Sequence, residues 1–271
     1  VFGTSAMVAA GLDYVTDLAR AGYRPMVVNM SLGGSALEPV EQVALDRAIA
    51  NGVIVVAAAG NEGTAGMTYP GAYAPVISAG SIGWTGEWSR PDAPGNFYRM
   101  WWLQNNQPPM LPNSGQVADP TAVGDLYVSD FSSRALPGQQ LDVLAPGSWV
   151  RGPFPGFPGY QHMPWWANGR GIFNGAPGLG NFFFVGGTSM ATPHVASLAA
   201  LMLQKNPSLT QAQVELLLKS TALPMPNVGS RNLLEFTTPV TVTWGTTCGA
   251  EVCDPVGAGV VQADAALAAT P

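Results

Sequence analysis

Charge is what this sequence has least of. Only 10% of its residues are Asp, Glu, Lys or Arg, and the balance is −6, against the roughly 25% charged residues usual in a globular domain. There is no basic patch or stripe, which excludes nucleic acid as a partner. Long apolar runs are missing too: none reaches the roughly 18 residues that a membrane span needs, which excludes a membrane partner. The first residues, from Val1 on, do not read as a leader peptide. Cysteine is limited to Cys248 and Cys253. With no histidine or second cysteine pair beside them, they make a poor zinc site. They read as a small-loop disulfide or as two free buried thiols. A disulfide requires an oxidising compartment, and so points to a secreted, extracellular protein. Histidine is equally scarce, at His162 and His194.

Apolar residues, by contrast, make up 47% of the 271, and there are 33 glycines and 24 prolines. That is enough apolar surface for a sizeable core, broken by many turns. Residues 5–20 have helical spacing, with Ser5 as the expected cap. Met26 to Leu32 reads as a buried strand. Pro39 to Ala50 is a helix stopped by Gly52. Further short apolar runs at 53–59, 76–82 and 141–144 read as strands. Helices follow at 189–204, 210–220 and 261–269. Alternating strands and helices, with strands apolar throughout, predict an α/β fold. Its three layers are a mostly parallel sheet flanked by helices. Ser31, Gly33 and Asn61 fall just after strand ends, on the edge where such sheets bind ligands.

Two segments, about 84–128 and 148–181, break the pattern. They are rich in Trp, Pro, Asn and Gly, including Trp101-Trp102 and Trp165-Trp166. Their length and aromatic content mark them as ordered insertions on one domain. The tryptophans either extend a binding cleft or plug the loops.

The chemistry concentrates in Gly186-Gly187-Thr188-Ser189-Met190-Ala191-Thr192-Pro193-His194-Val195-Ala196. Glycines permit a sharp turn and close approach of a substrate backbone. The helix that follows turns its free amides and positive dipole end toward Ser189, stabilising an anion that develops there. Pro193 sits early in that helix, where its missing amide is expected to cost little.

This string resembles the subtilisin-like serine protease family. Three further blocks occur in that family's order: Val28-Asn29-Met30-Ser31-Leu32-Gly33-Gly34; Val55-Val56-Ala57-Ala58-Ala59-Gly60-Asn61-Glu62-Gly63; and Tyr69-Pro70-Gly71-Ala72-Tyr73, followed by Phe131-Ser132-Ser133 and Leu141 to Gly147. The likeness covers nearly the whole chain outside the insertions, and residues 1–271 resemble part of one peptidase domain. It implies peptide hydrolysis through an acyl-enzyme on Ser189, with no cofactor required for the chemistry. The Asn61 side chain and the Ser189 amide would form the oxyanion hole. Ser31, Leu32 and Gly33 would pair with an extended peptide or protein substrate as an added strand. Ala58, Ala59 and Gly60 would line the primary specificity pocket, with Thr68 at its floor and Glu62 at its rim. Small walls would leave room for a large apolar or aromatic side chain. A structural calcium is possible near the carbonyls of Gly71, Tyr73 and Val76, with Asp142 nearby. The sequence names no metal ligand set.

A serine nucleophile also needs a base and an orienting acid. The family supplies these from an Asp block and a His block N-terminal to everything seen here, and neither occurs in this chain. His194, five residues after Ser189 on one helix, points about 140° away. His162 lies in the long 148–181 segment, a poor place to fix a base. The chain therefore reads as the C-terminal part of such a domain, lacking its N-terminal strands and on the order of a hundred residues. Its expected partner is that missing part, and alone it is expected to be inactive. The Met26–Leu32 strand would be left with an unpaired, aggregation-prone edge. The alternative is a non-catalytic peptide-binding module that keeps only the strand edge.

Overall fold

A computed structural model describes residues 3–87, 120, 122–148, 150–153, 182–235 and 238–271. Trp101, Trp102, His162, Trp165 and Trp166 lie outside the described residues.

The elements run α1 (Ser5–Arg20), β1 (Met26–Met30), α2 (Pro39–Ala50), β2 (Val53–Ala58), β3 (Ile77–Trp84), β4 (Leu126–Val128), β5 (Val143–Pro146), β6 (Val150–Pro153), β7 (Phe182–Val185), α3 (Thr188–Lys205), α4 (Gln211–Ser220), β8 (Gly229–Glu235), β9 (Thr238–Trp244), β10 (Thr247–Cys248), β11 (Glu251–Val252) and α5 (Ala263–Ala269). The main sheet is parallel through β1, β2, β3 and β5, and β4 joins the far half of β3 antiparallel. The α/β expectation holds.

Strand β2 shows why the layers form. All six of its residues are buried. Val53, Val55 and Ala57 pack with α1 and α2, while Ile54 and Val56 pack with α3 and α4. The two-residue repeat of a strand sends successive side chains to opposite faces, so an unbroken apolar run needs cover on both. Each buried branched side chain contributes about 1.5–3 kcal/mol relative to exposure.

Local signals set the helix ends, with one correction. The cap of α1 is Thr4, whose Oγ1 accepts from the Met7 amide at 3.3 Å, so Ser5 is the first helical residue. Beyond α2, Gly52 takes φ 78° and reverses the chain into β2. Thr210 and Gln213 cap α4 reciprocally. Gln211 reaches β2, where β3 has not yet begun. Its side chain accepts from the Val55 amide and donates to the Val55 and Pro75 carbonyls, all at 2.9 Å. A glutamine thus takes the place of a strand residue.

The first segment set apart by composition, 84–128, starts and ends in the sheet, in β3 and β4. The second, 148–181, leaves through β6 and returns through β7, which pair antiparallel. The β8–β9 hairpin was not among the elements expected from the sequence. It covers β4 through Leu233, Val242 and Trp244. Cys248 and Cys253 form a disulfide across β10–β11, with Cα atoms 5.8 Å apart. Among the described residues, β1 hydrogen-bonds to β2 alone. No described residue forms a strand on its outer edge.

Candidate active site

The C-terminal ends of β1 and β2 and the start of α3 meet at one place. Residue 31 follows β1, residues 59–61 follow β2, and Ser189 is the second residue of α3.

Ser31 and Ser189 are paired twice. Ser31 Oγ donates to the Ser189 carbonyl at 2.7 Å, and Ser189 Oγ donates to the Ser31 carbonyl at 3.3 Å. Asn29 Nδ2 donates to Ser31 Oγ at 2.9 Å and fixes its direction. Pro193 explains why the Ser189 carbonyl is available. It is the sixth residue of α3 rather than part of its first turn. Its missing amide is the one that would have bonded residue 189, four positions back. A buried carbonyl needs a donor, and Ser31 supplies it.

Asn61 stands on the other side. Its Oδ1 accepts from the Thr188 amide at 2.9 Å and from Thr188 Oγ1 at 3.1 Å. Gly60 also meets Thr188 Oγ1 through both its amide and its carbonyl, at 3.2 Å each. With its oxygen committed, the Asn61 carboxamide has Nδ2 as its remaining group, which no described residue bonds. The Ser189 amide, in the first helical turn, has no carbonyl within the helix to bond. Asn61 is thus tied to Thr188, the residue before Ser189.

Behind the turn that leads into α3, the Gly187 amide donates to the Gly147 carbonyl at 2.8 Å, and the Gly147 and Ser148 amides both donate to the Ile82 carbonyl. Ser148 Oγ donates at 3.0 Å to Glu87, a fully buried carboxylate that also takes the Tyr127 hydroxyl. Sequence reading gave no sign of this cluster, because its members come from separate segments.

The expected pocket residues fall in two chain segments joined at their base. Gly34 and Tyr69 exchange amide–carbonyl bonds at 2.8 and 2.9 Å, and the Thr68 amide donates to Ala59 at 2.9 Å. Ala58, Ala59 and Gly60 are buried, and Leu32 is exposed. Thr68 Oγ1 is buried without a hydrogen-bond partner. Glu62 is exposed, and its backbone amide and carboxylate both bond Ser133 Oγ, at 3.0 and 3.1 Å.

His194 lies five residues after Ser189 on α3. Its Nδ1 lies 2.8 Å from the Met190 carbonyl on its own helix. Burial pushes its pKa below the usual 6.5, against the smaller upward pull of that carbonyl.

Asp142 is held by protein donors. Its oxygens take the Ser78 amide at 2.8 Å, Ser78 Oγ at 3.0 Å, Gln140 Nε2 at 2.6 Å and the Lys219 ammonium at 3.0 Å. Burial alone would lower the Lys219 pKa, but Asp142 and Glu215 outweigh it and raise it. The Tyr73 carbonyl accepts from the Val76 amide. Among the described residues, no group of three or more His, Cys, Asp or Glu is placed to hold a metal. Nor is any of their helices long and apolar enough to cross a membrane.

Comparison with known proteins follows the same geometry. The family model described as "Subtilase family" matches residues 3–246. Subtilisin E of Bacillus subtilis (strain 168) is 32% identical over 205 residues, covering 74% of this chain and 36% of that protein. Alkaline elastase YaB of Bacillus sp. (strain YaB) is 30% identical over 232 residues, covering 84% and 44%. Among solved structures, fervidolysin from Fervidobacterium pennivorans, described as a keratinolytic enzyme related to subtilisin, aligns at TM-score 0.60 and 26% identity. That alignment covers 98% of this chain and 29% of that one. Sphericase shares the fold at TM-score 0.58 and 23% identity, covering 96% and 64%. The chain thus spans less than half the length of these two curated relatives.

Proposed function

The chain belongs to the subtilase family, and from that premise we propose that it carries the nucleophile half of a serine endopeptidase site. The observation that supports this most is the hold on Asn61. Its oxygen is bound by Thr188, so its amide group is the end left to meet charge near Ser189. Binding a peptide by strand addition requires neither a hydroxyl nor such a donor, so their pairing favours catalysis over a non-catalytic binding module.

In the proposed reaction, Ser189 Oγ attacks the scissile carbonyl and its proton passes to a histidine. Asn61 Nδ2 and the Ser189 amide stabilise the oxyanion. Collapse breaks the C–N bond, and the histidine returns the proton to the leaving amine. Water then releases the acyl group by the same route. Ser31, Leu32 and Gly33 pair with the substrate backbone, and Ala58, Ala59 and Gly60 stand beside the side chain before the scissile bond.

The histidine and its orienting acid come from an N-terminal part of the same domain, which we propose as the partner of this chain. The open outer edge of β1 is consistent with a further strand there. The disulfide supports an extracellular setting.

Labelling with a fluorophosphonate tests the proposal. Ser189 in this chain alone should not react, and it should react once the N-terminal Asp- and His-bearing part is rejoined. Labelling of the chain alone would show that a base is already present. No labelling of the rejoined protein would favour the binding module.

A further inference from the structure

We infer that the cavity between the end of α2 and the start of α4 binds the C-terminal residue of a peptide. Arg24 takes its carboxylate, the Ala50 carbonyl takes its N–H, and a wall of prolines takes its apolar side chain. The site is separate from Ser189 and does not depend on the peptidase reading.

The cavity measures about 510 Å³, within the size range of small-molecule sites. It lies at the amino-terminal edge of the sheet. Strand β2 starts beside Gly52 of the cavity and ends just before residues 59–61. Its six residues put roughly 20 Å between the two sites. Pro25, Pro75 and Pro207 line the cavity with Ile49 and Leu209. Proline fixes its own backbone, so these walls lose little freedom when a side chain enters.

One cation stands at this space with no acid beside it. Arg24 Nε donates to the Ala19 carbonyl at the end of α1, at 2.8 Å. Its Nη1 reaches to 4.0 Å from where a Cβ on Gly52 would stand. The Nε bond fixes the plane of the guanidinium, and no described carboxylate pairs with it. Glu215 lines the α4 side of the cavity, but Lys219 and Gln140 hold its Oε1. A fixed fork of N–H donors matches a carboxylate.

The second polar feature is an acceptor. Ala50 lines the same cavity and ends α2, whose last carbonyls find no amide within the helix. The Asn51 and Gly52 amides bond Arg47, Ala48 and Ile49. The Ala50 carbonyl accepts from no described residue. A simple carboxylate would leave it unused. The last residue of a peptide carries a carboxylate, an N–H and a side chain on one carbon, and the cavity offers a partner to each.

Amide NMR shifts of this chain, repeated on the rejoined protein, locate and rank three probes. These are N-acetyl-leucine, N-acetyl-leucinamide, which lacks the carboxylate, and 4-methylpentanoate, which lacks the N–H. N-acetyl-leucine should shift the amides of Ala50, Gly52 and Leu209. The leucinamide should bind more weakly by about tenfold or more, the scale of a hydrogen bond to a charged group, and 4-methylpentanoate by about fivefold. Arg24→Gln should reproduce the loss seen with the leucinamide. Ala212→Trp puts an indole into the cavity from its α4 wall, leaves Arg24 in place and should abolish the shifts. It carries the test if Arg24→Gln folds poorly.

Shifts confined to Gly60 and Asn61, equal binding of N-acetyl-leucine and its amide, or shifts that survive Ala212→Trp would overturn the site. So would the absence of any shift. If 4-methylpentanoate binds as tightly as N-acetyl-leucine, the peptide assignment fails. Binding to this chain that disappears in the rejoined protein would show that the N-terminal part fills the cavity, and overturns the inference as well.

Discussion

Ser31 and Ser189 hold each other across 158 residues of sequence, each side chain donating to the other's carbonyl, at 2.7 and 3.3 Å. Pro193 creates the opening for the shorter bond by withholding a helical amide from Ser189. The end of β1 and the turn that opens α3 are thereby locked in register.

That lock has a measurable signature. Ser31→Ala should leave the Ser189 carbonyl without its donor and cost about 1–2 kcal/mol. Pro193→Ala returns an amide to the helix at the right place. In the Ser31→Ala background it should recover stability that it does not add on its own. A double-mutant cycle by denaturant unfolding checks the coupling. Additive effects would mean that Pro193 has no bearing on the pairing.

Asn61 has two ends with separate duties. Asn61→Asp keeps an oxygen for the Thr188 amide but loses the Nδ2 donor. Asn61→Ala loses both. In the rejoined protein, both should lower kcat by about 10²–10³-fold, the magnitude established for such a donor in a subtilisin and carried over here. Thermal unfolding should distinguish them, with only the Ala variant losing the Thr188 contacts.

The crowding of Thr68 against Gly33 predicts a compensating pair. Gly33→Ala should destabilise by about 1–3 kcal/mol, because the new methyl group meets the Thr68 hydroxyl. Thr68→Ala should relieve most of that loss in the double variant. Thr68→Val alone should stabilise by about 1 kcal/mol, since it removes an unpaired buried hydroxyl. Chemical denaturation of the four proteins tests all three statements.

His194 gives the protein an acid-side weakness. Burial lowers its pKa in the folded state below 6.5, so the unfolded chain binds a proton more readily. Its stabilising contribution is complete above about pH 6.5 and is lost as pH falls through the folded pKa. His194→Gln should flatten this part of the stability profile. Unfolding midpoints measured from neutral pH downward in both proteins would show it. An identical fall in both would assign the effect to other groups.

Much of the fold could be read from the sequence, because its signals are local. The run Val53 to Ala58 is apolar at every position, and only a strand covered on both faces tolerates that. Gly52 and Thr210 mark helix boundaries through their own backbone and side-chain chemistry. The β8–β9 hairpin escaped notice because β8 shows no two-residue alternation, although Val240, Val242 and Trp244 alternate with Thr241 and Thr243 in β9, and its cover over β4 is a contact between distant segments. The cap of α1 was misplaced by one residue, since Thr4 and Ser5 carry the same kind of hydroxyl and only backbone geometry distinguishes them.

The sequence by itself determined the kind of site: a glycine turn, a serine and a helix in immediate succession, with an asparagine after a buried strand. Those features are chemical and contiguous. It also determined that His194 faces away from Ser189, since helical spacing fixes direction. Only the tertiary structure decided how the site is held. The Ser31 bond to the carbonyl that Pro193 vacates, the grip of Thr188 on one end of Asn61, and the press of the Thr68 hydroxyl on Gly33 all join segments far apart in the chain. Each depends on angstrom-scale packing that no local pattern encodes, because a hydroxyl's partner, or its lack of one, exists only after the walls around it have closed.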